Sequence, residues 1–247
     1  MNKTIKKISI TAGVVVTVLV LAFGANLWKM MSEFSKFTPL ETGKIADGIY
    51  VVKDDIANFF ILQDDARYVV IDCGMNPDKV AEEMKKTGIN PDDVSAVFLT
   101  HSDGDHAGAL GLFAGAKLYM SKEEEQMTDG RKSKYLWLIK AGSNIQRKDY
   151  ILLNDREVVR IGDLKIESIL APGHTSGMTA YLVNDKYLFT GDILSLKDGK
   201  IAPIPAFFDM DRAQALKSVE TMRGIPSAEY IFTAHWGYTD DYQTAVK

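Results

Sequence analysis

From Gly48 onward, short apolar runs alternate with polar turn residues at a spacing that predicts strands. "GIYVVKD", "NFFILQD" and "RYVVIDCG" are the first three. "NPDKVAEEMKKTG" has Pro near its start and Gly at its end, which predicts a helix, and "VSAVFLT" returns to a strand. "HAGALGLFAG" has helical spacing, and "AKLYMS" reads as a further strand. Residues 122–150 are charged, with Tyr135, Leu136, Trp137 and Ile139 embedded, and read as helix plus loop. A second β-rich half follows in "DREVVRIG", "LKIESILAPG" and "MTAYLVNDKYLFTGD". Asp209 or Asp211 is placed to cap a helix "DRAQALKSVETMRG", and "AEYIFTAH" is a last strand. No long linker or low-complexity stretch divides residues 37–247, so they read as one α/β domain.

Residues 1–36 follow a different pattern. "MNKTIKK" carries three lysines, and no charge then occurs from Ile8 to Trp28, a run of 21 residues. A helix needs about 20 such residues to cross a hydrocarbon core. The segment therefore predicts a single transmembrane anchor, with a cleaved signal peptide as the alternative because Ala22 and Gly24 are small. Lys3, Lys6 and Lys7 favour a cytoplasmic N-terminus, which makes the rest extracytoplasmic, or secreted if the segment is cleaved.

Charge narrows the partners. Without residues 1–36 the chain has 24 basic and 32 acidic residues, net −8, which argues against nucleic acid. The single cysteine, Cys73, excludes an intrachain disulfide and reads as a small buried residue at a strand end.

The candidate chemistry sits at strand ends. Three apolar runs finish in Thr and deliver a His or Asp within two residues: "VFLTH" to His101, "YLFTGD" to Asp192 and "YIFTAH" to His235. Ligands bind beyond the carboxyl ends of strands in open α/β sheets. "LTHSDGDHAG" interleaves His101 and His106 with Asp103 and Asp105, and the remaining histidines, His174 and His235, follow strands in Gly-containing turns. Imidazole and carboxylate are the usual non-sulfur ligands of zinc, iron and manganese. A solvated turn would explain "SDGD" but neither flanking histidine.

"THSDGDHAG", "PGHTSG", "FTGD" and "TAHWG" together resemble the motif series of the metallo-β-lactamase superfamily, and "VVIDCG" resembles its early Asp-x-Gly strand end. The resemblance runs from about Gly43 to the C-terminus and is closest to the glyoxalase II-like members, with H-x-D-x-D-H in place of H-x-H-x-D-H. It implies an αββα sandwich with a one- or two-metal site at one edge. It also implies that His101, Asp103 and His174 hold a first divalent ion, that Asp105, His106 and His235 hold a second, and that Asp192 bridges them. Zinc is the implied metal. Asp103 stands where the family usually has His, which shifts preference toward iron or manganese or leaves a single well-occupied metal.

The activity implied is hydrolysis by a metal-acidified water, with Asp105 orienting the nucleophile or shuttling its proton. Asp192 stands where the best-known β-lactamase branch has Cys, and the chain ends twelve residues after His235, which predicts no C-terminal glutathione-gripping domain. The expected substrate is a small-molecule lactone, thioester or phosphoester. Phe207, Phe208 and Trp236 are candidate pocket walls, with Tyr135 and Trp137 as further aromatics. Two other classes remain open: a one-iron persulfide dioxygenase on the same scaffold, and a non-catalytic, membrane-tethered metal-binding protein.

Overall fold

The computed structural model describes residues 3–65, 67–136, 139–141 and 145–247. It divides into two compact units, Met1–Phe37 and Thr38–Lys247. The first is a single helix, α1 (Lys3–Phe34). Within it Gly13–Phe34 is 22 residues long with no buried residue and contains an 18-residue stretch of mean hydropathy 1.8, long and apolar enough to cross a membrane.

The second unit opens with β1 (Gly43–Ala46), β2 (Ile49–Asp54), β3 (Ala57–Asp64), β4 (Arg67–Ile71), α2 (Pro77–Thr87) and β5 (Val94–Phe98). Then come α3 (Gly104–Ala107), β6 (Lys117–Ser121), α4 (Glu125–Thr128), β7 (Lys134–Leu136), β8 (Ile139–Ala141) and β9 (Tyr150–Leu153). The later half has β10 (Val158–Ile161), β11 (Leu164–Leu170), β12 (Thr179–Val183), β13 (Tyr187–Phe189), β14 (Leu194–Lys197) and β15 (Lys200–Pro203). It closes with α5 (Arg212–Arg223), β16 (Tyr230–Phe232), β17 (Tyr238–Thr239) and α6 (Tyr242–Ala245).

Two sheets face each other. One runs β1-β2-β3-β4-β5-β6-β9 and the other β10-β11-β12-β13-β16-β17. The period-two alternation of strand side chains explains the layering. In β3, Phe60 and Leu62 point into the apolar layer between the sheets, while Phe59 and Ile61 point to the opposite face, where Val80 and Met84 of α2 cover them. On the second sheet the outer face is covered by Val219 and Met222 of α5 and by Tyr242 and Ala245 of α6. The result is the αββα sandwich the motifs imply. At the centre of the inter-sheet layer, Phe60 lies 5.2 Å from Phe189 and 5.4 Å from Phe232, whose rings stack at 4.7 Å.

Local signals account for the helix ends. Asn76 caps α2 by accepting from the backbone N–H groups of Asp78 and Lys79, Pro77 starts it, and Gly88 ends it at φ 72°. Asp211, not Asp209, caps α5, accepting from Gln214 N at 3.0 Å; Asp209 instead pairs with Arg212 at 2.7 Å. Cys73 is fully buried, its thiol pushed up by that burial and donating to His106 O at 3.1 Å.

Two expected elements differ. The helical spacing after His106 yields only α3 and a 3₁₀ turn at Leu110–Phe113. At Gly108 the backbone passes so tightly that a Cβ would lie 2.4 Å from Met75 O, and the α-helix stops there. Residues 122–150 hold α4 but also the hairpin of β7 and β8. Strands of three residues are too short to display an alternation, and the lysines around them mask what remains. Trp137 lies outside the described residues.

Glu124, at the start of α4, joins two loops from different halves of the chain. Its Oε1 accepts from Ser102 N at 2.9 Å and Ser102 Oγ at 2.6 Å, and its Oε2 accepts from Thr175 Oγ1 at 2.8 Å and Gly177 N at 3.0 Å. Burial raises the pKa of this carboxyl against the pull of Ser102 and Thr175. The approach demands glycine: a Cβ on Gly177 would lie 2.0 Å from Glu124 N.

Phe232→Ala removes a fully buried ring from the inter-sheet layer and is expected to lower unfolding free energy by about 3–5 kcal/mol in denaturant titration. Glu124→Gln turns one acceptor into an NH₂ facing an N–H group and is expected to lower stability by about 1–3 kcal/mol in the same measurement.

Candidate metal centre

Parallel strand pairing brings the site together. β13 and β16 run parallel with Phe189 opposite Phe232, so Asp192 and His235 emerge three residues beyond one paired position. β4 and β5 also run parallel, with Ile71 opposite Phe98, so Asp72 and the loop from Thr100 leave the first sheet at the same end. Asp72 adopts φ 63°, a left-handed conformation that Asp tolerates better than most residues. Its Oδ1 accepts from Thr100 N at 2.8 Å and its Oδ2 from His106 Nδ1 at 2.8 Å. The β11–β12 loop delivers His174. Gly173 there has φ 142°, and a Cβ would lie 2.3 Å from Ala215 Cα in α5, so the loop sits flush on the helix.

The seven side chains singled out in the sequence lie in one cluster with two parts. In the first, Asp103 Oδ2 lies 3.6 Å from His101 Nε2 and 3.3 Å from His174 Nε2. In the second, Asp105 Oδ2 lies 3.8 Å from His106 Nε2 and 3.4 Å from His235 Nε2. Asp192 spans the two parts. Its Oδ1 is 3.4 Å from His106 Nε2 and 3.2 Å from His235 Nε2, while its Oδ2 is 3.4 Å from His174 Nε2. Ligands at about 2.0–2.1 Å from a tetrahedral ion are about 3.3 Å from one another, and these separations scatter around that value.

Asp103 Oδ2 and His174 Nε2 meet Lys134 Nζ, but several other atoms of the cluster lack other work. His101 Nε2, His106 Nε2, Asp103 Oδ1 and Asp192 Oδ1 are buried with no hydrogen-bond partner among the described residues. Each such atom left unpaired costs about 1–3 kcal/mol, and a cation among them removes that cost. The donor set therefore fits a divalent metal.

Burial and neighbouring charge act against each other here. Burial lowers the His101 pKa to about 4, with His106 adding to the effect. His106 is pushed up despite burial, because the Asp72, Asp105 and Asp192 carboxylates surround it. His235 is raised in the same way by Asp192 and Asp105. Asp103 stays well below the usual carboxylate range despite burial, held there first by the Lys134 ammonium. Asp192 is likewise held low by His235 and His106. Asp105 has 22% of its side chain exposed, more than the other two carboxylates of the cluster, Asp103 at 12% and Asp192 at 9%.

The aromatic candidates divide. Trp236 is half-buried, its ring edge-on to that of His235 at 5.4 Å. Phe207 is half-buried and Phe208 buried, their rings 5.5 Å apart on a turn whose next residues bond back to Gly173 O. Tyr135 is 60% exposed. Three further residues at the site escaped the sequence reading: Asp72 behind His106, Glu124 between the two ligand-bearing loops, and Lys134. The last is 2% exposed, with Nζ 2.5 Å from Asp103 Oδ2 and 2.7 Å from His174 Nε2. Only for Asp72 was there a signal, the "VVIDCG" strand end.

Comparison with known proteins agrees with the geometry. The metallo-beta-lactamase superfamily profile matches residues 52–235. The chain is 32% identical over 127 residues to the probable polyketide biosynthesis zinc-dependent hydrolase BaeB of Bacillus velezensis, covering 50% of this chain and 48% of that one. It is 29% identical over 152 residues to hydroxyacylglutathione hydrolase of Dictyostelium discoideum, covering 58% of this chain and 50% of that one. These matches span about half the length of the relatives. Among solved structures, a metallo-beta-lactamase family protein of Thermus thermophilus superposes with TM-score 0.63 at 17% identity, covering 82% of this chain and 78% of that one. A beta-lactamase from Chitinophaga pinensis gives TM-score 0.64 at 20% identity, covering 82% and 80%. Fold, strand-end donors and a profile match across most of the globular unit lead to one conclusion: this chain belongs to the metallo-beta-lactamase superfamily.

Proposed function

We propose that this protein is a metal-dependent hydrolase of a small-molecule lactone, thioester or phosphoester. The observation that carries the reading is the clustering of seven imidazole and carboxylate side chains, in which His101 Nε2, His106 Nε2 and Asp192 Oδ1 are buried with no hydrogen-bond partner among the described residues. The names of its relatives, zinc-dependent hydrolase and hydroxyacylglutathione hydrolase, support metal-assisted hydrolysis and favour zinc.

His101, Asp103 and His174 form one candidate cation position, and Asp105, His106 and His235 the other, with Asp192 between them. A bound divalent cation supplies Lewis acidity, bringing the pKa of water near 7 and polarising an electrophilic oxygen. The residues around it do the rest. Asp72 fixes the His106 ring by accepting from Nδ1, which leaves Nε2 as the donor, and Ile56 O does the same for His235 at 2.6 Å. Asp105 is the carboxylate of the cluster most open to solvent, and it takes up the proton of the attacking water and returns it to the leaving group. Phe207 and Trp236 form apolar walls for the substrate, with Phe208 packed behind Phe207.

We assign α1 the role of membrane anchor, with the hydrolase domain outside the cytoplasm. Its uncharged run of 21 residues from Ile8 to Trp28 and the lysines that precede it support this.

Chelation is expected to abolish turnover across a panel of lactone, thioester and phosphodiester substrates, with zinc restoring it; equally poor turnover with and without metal sinks the hydrolase reading. His106→Ala and His235→Ala are each expected to lower kcat/KM by at least about 100-fold and to lower bound metal, read by kinetics and elemental analysis. For α1, carbonate washing of membranes is expected to leave the full-length chain in the pellet, whereas a shorter species in the medium identifies a cleaved signal.

A further inference from the structure

Lys134 occupies a position for which the metal-binding reading has no role. It begins the β7–β8 hairpin, and its side chain is 3% exposed. Its Nζ sits 2.5 Å from Asp103 Oδ2 and 2.7 Å from His174 Nε2, two of the three donor atoms of the first cation position. Those two donors are themselves only 3.3 Å apart. An ammonium that close to both lies where an ion shared by them would lie.

Charge separates the two positions. The first contains two imidazoles and one carboxylate, Asp103, and the Lys134 ammonium already balances that carboxylate. The second contains two imidazoles with Asp105 and Oδ1 of Asp192, whose Oδ2 reaches His174 of the first, and a further carboxylate, Asp72, stands directly behind His106. No Lys or Arg pairs with Asp105, Asp192 or Asp72 among the described residues. The second position therefore gathers more carboxylates, and none of them has a lysine or arginine partner among the described residues.

Support for the rings separates them too. A metal-binding imidazole almost always donates its other N–H to a carboxylate or carbonyl oxygen, which orients it and raises its basicity. His106 has Asp72 Oδ2 at 2.8 Å and His235 has Ile56 O at 2.6 Å. At the first position, His101 Nδ1 meets only the hydroxyl of Thr100 at 3.0 Å, and His174 Nδ1 is buried with no partner among the described residues. The imidazoles built as strong ligands belong to the second position alone.

We propose that the Lys134 ammonium supplies the positive charge of the first cation position, so that this protein holds one divalent ion, at Asp105, His106, His235 and Asp192. The proposal rests on the metal-hydrolase reading above. It also divides the chemistry. An ammonium has three N–H donors and no vacant coordination site, so it neutralises and orients oxygen but does not acidify water. Two of its N–H groups engage Asp103 and His174. Activation of water then belongs to the second position, beside Asp105.

The test is metal content per chain of the purified full-length protein in detergent, saturated with zinc and desalted, measured by elemental analysis. One equivalent is expected for the wild type, and two for Lys134→Ala and Lys134→Met, which free the first position. Within the wild-type background, His101→Ala is expected to keep its one ion and His106→Ala to lose it, a comparison that does not depend on how the Lys134 variants fold. Two equivalents in the wild type overturn the proposal while leaving the hydrolase reading intact. So does a single equivalent in folded Lys134→Met, or loss of the ion from His101→Ala. No metal in the wild type overturns the hydrolase reading and the proposal together.

Discussion

Several carboxylates crowded together out of water require positive charge, and that requirement organises this site. Asp72, Asp103 and Asp192 are nearly inaccessible to solvent, and Asp105 stands beside them, all at one edge of a sandwich whose two sheets enclose an apolar layer. Several unpaired charges in such a place would destabilise the fold far more than the packing of any single side chain supports it. Histidines, a lysine and, on the proposed reading, a divalent ion supply the compensation. The orphaned donor atoms are the trace of it in the structure of the chain alone.

The scaffold holds this arrangement with ordinary means. Parallel pairing of β4 with β5 and of β13 with β16 sends four strand ends to the same edge, one pair from each sheet. The ring-on-ring layer of Phe60, Phe189 and Phe232 holds the two sheets together beneath it. Glu124 then fastens the loop of His101 to the loop of His174 through four accepted hydrogen bonds. The geometry of the cluster is thus a property of strand register first and of loop bonding second. The loops need only be short and glycine-containing enough to reach.

The two halves of the cluster are not equivalent, although the motifs that produce them look alike. The half around His106 is backed by oxygen acceptors and crowded by carboxylates; the half around His101 has weaker ring support and an ammonium from a different part of the chain. That asymmetry connects to the one departure from the family motif. A carboxylate at position 103 can pair with a lysine, whereas an imidazole there could not have balanced its charge.

Periodicity and composition alone determined a good deal. Most strands of both sheets from "GIYVVKD" to "AEYIFTAH", though not β9, the ends of α2 and the start of α5, the apolar character of α1 and all seven clustered donors were legible, because each depends on local alternation, local capping or residue chemistry. Some local signals were present but weak in context. Asp198-Gly199, with both residues at positive φ, turns the β14–β15 hairpin, yet the strands beside it are only four residues long. What tertiary structure alone decided was proximity. Nothing near Lys134 in the chain distinguishes it from its neighbours Lys132 and Lys140, and Glu124 sits in a run of three glutamates. Their roles arise because the fold places them against residues 22 to 53 positions away, and pairing across such distances is set by packing rather than by any pattern in the intervening sequence.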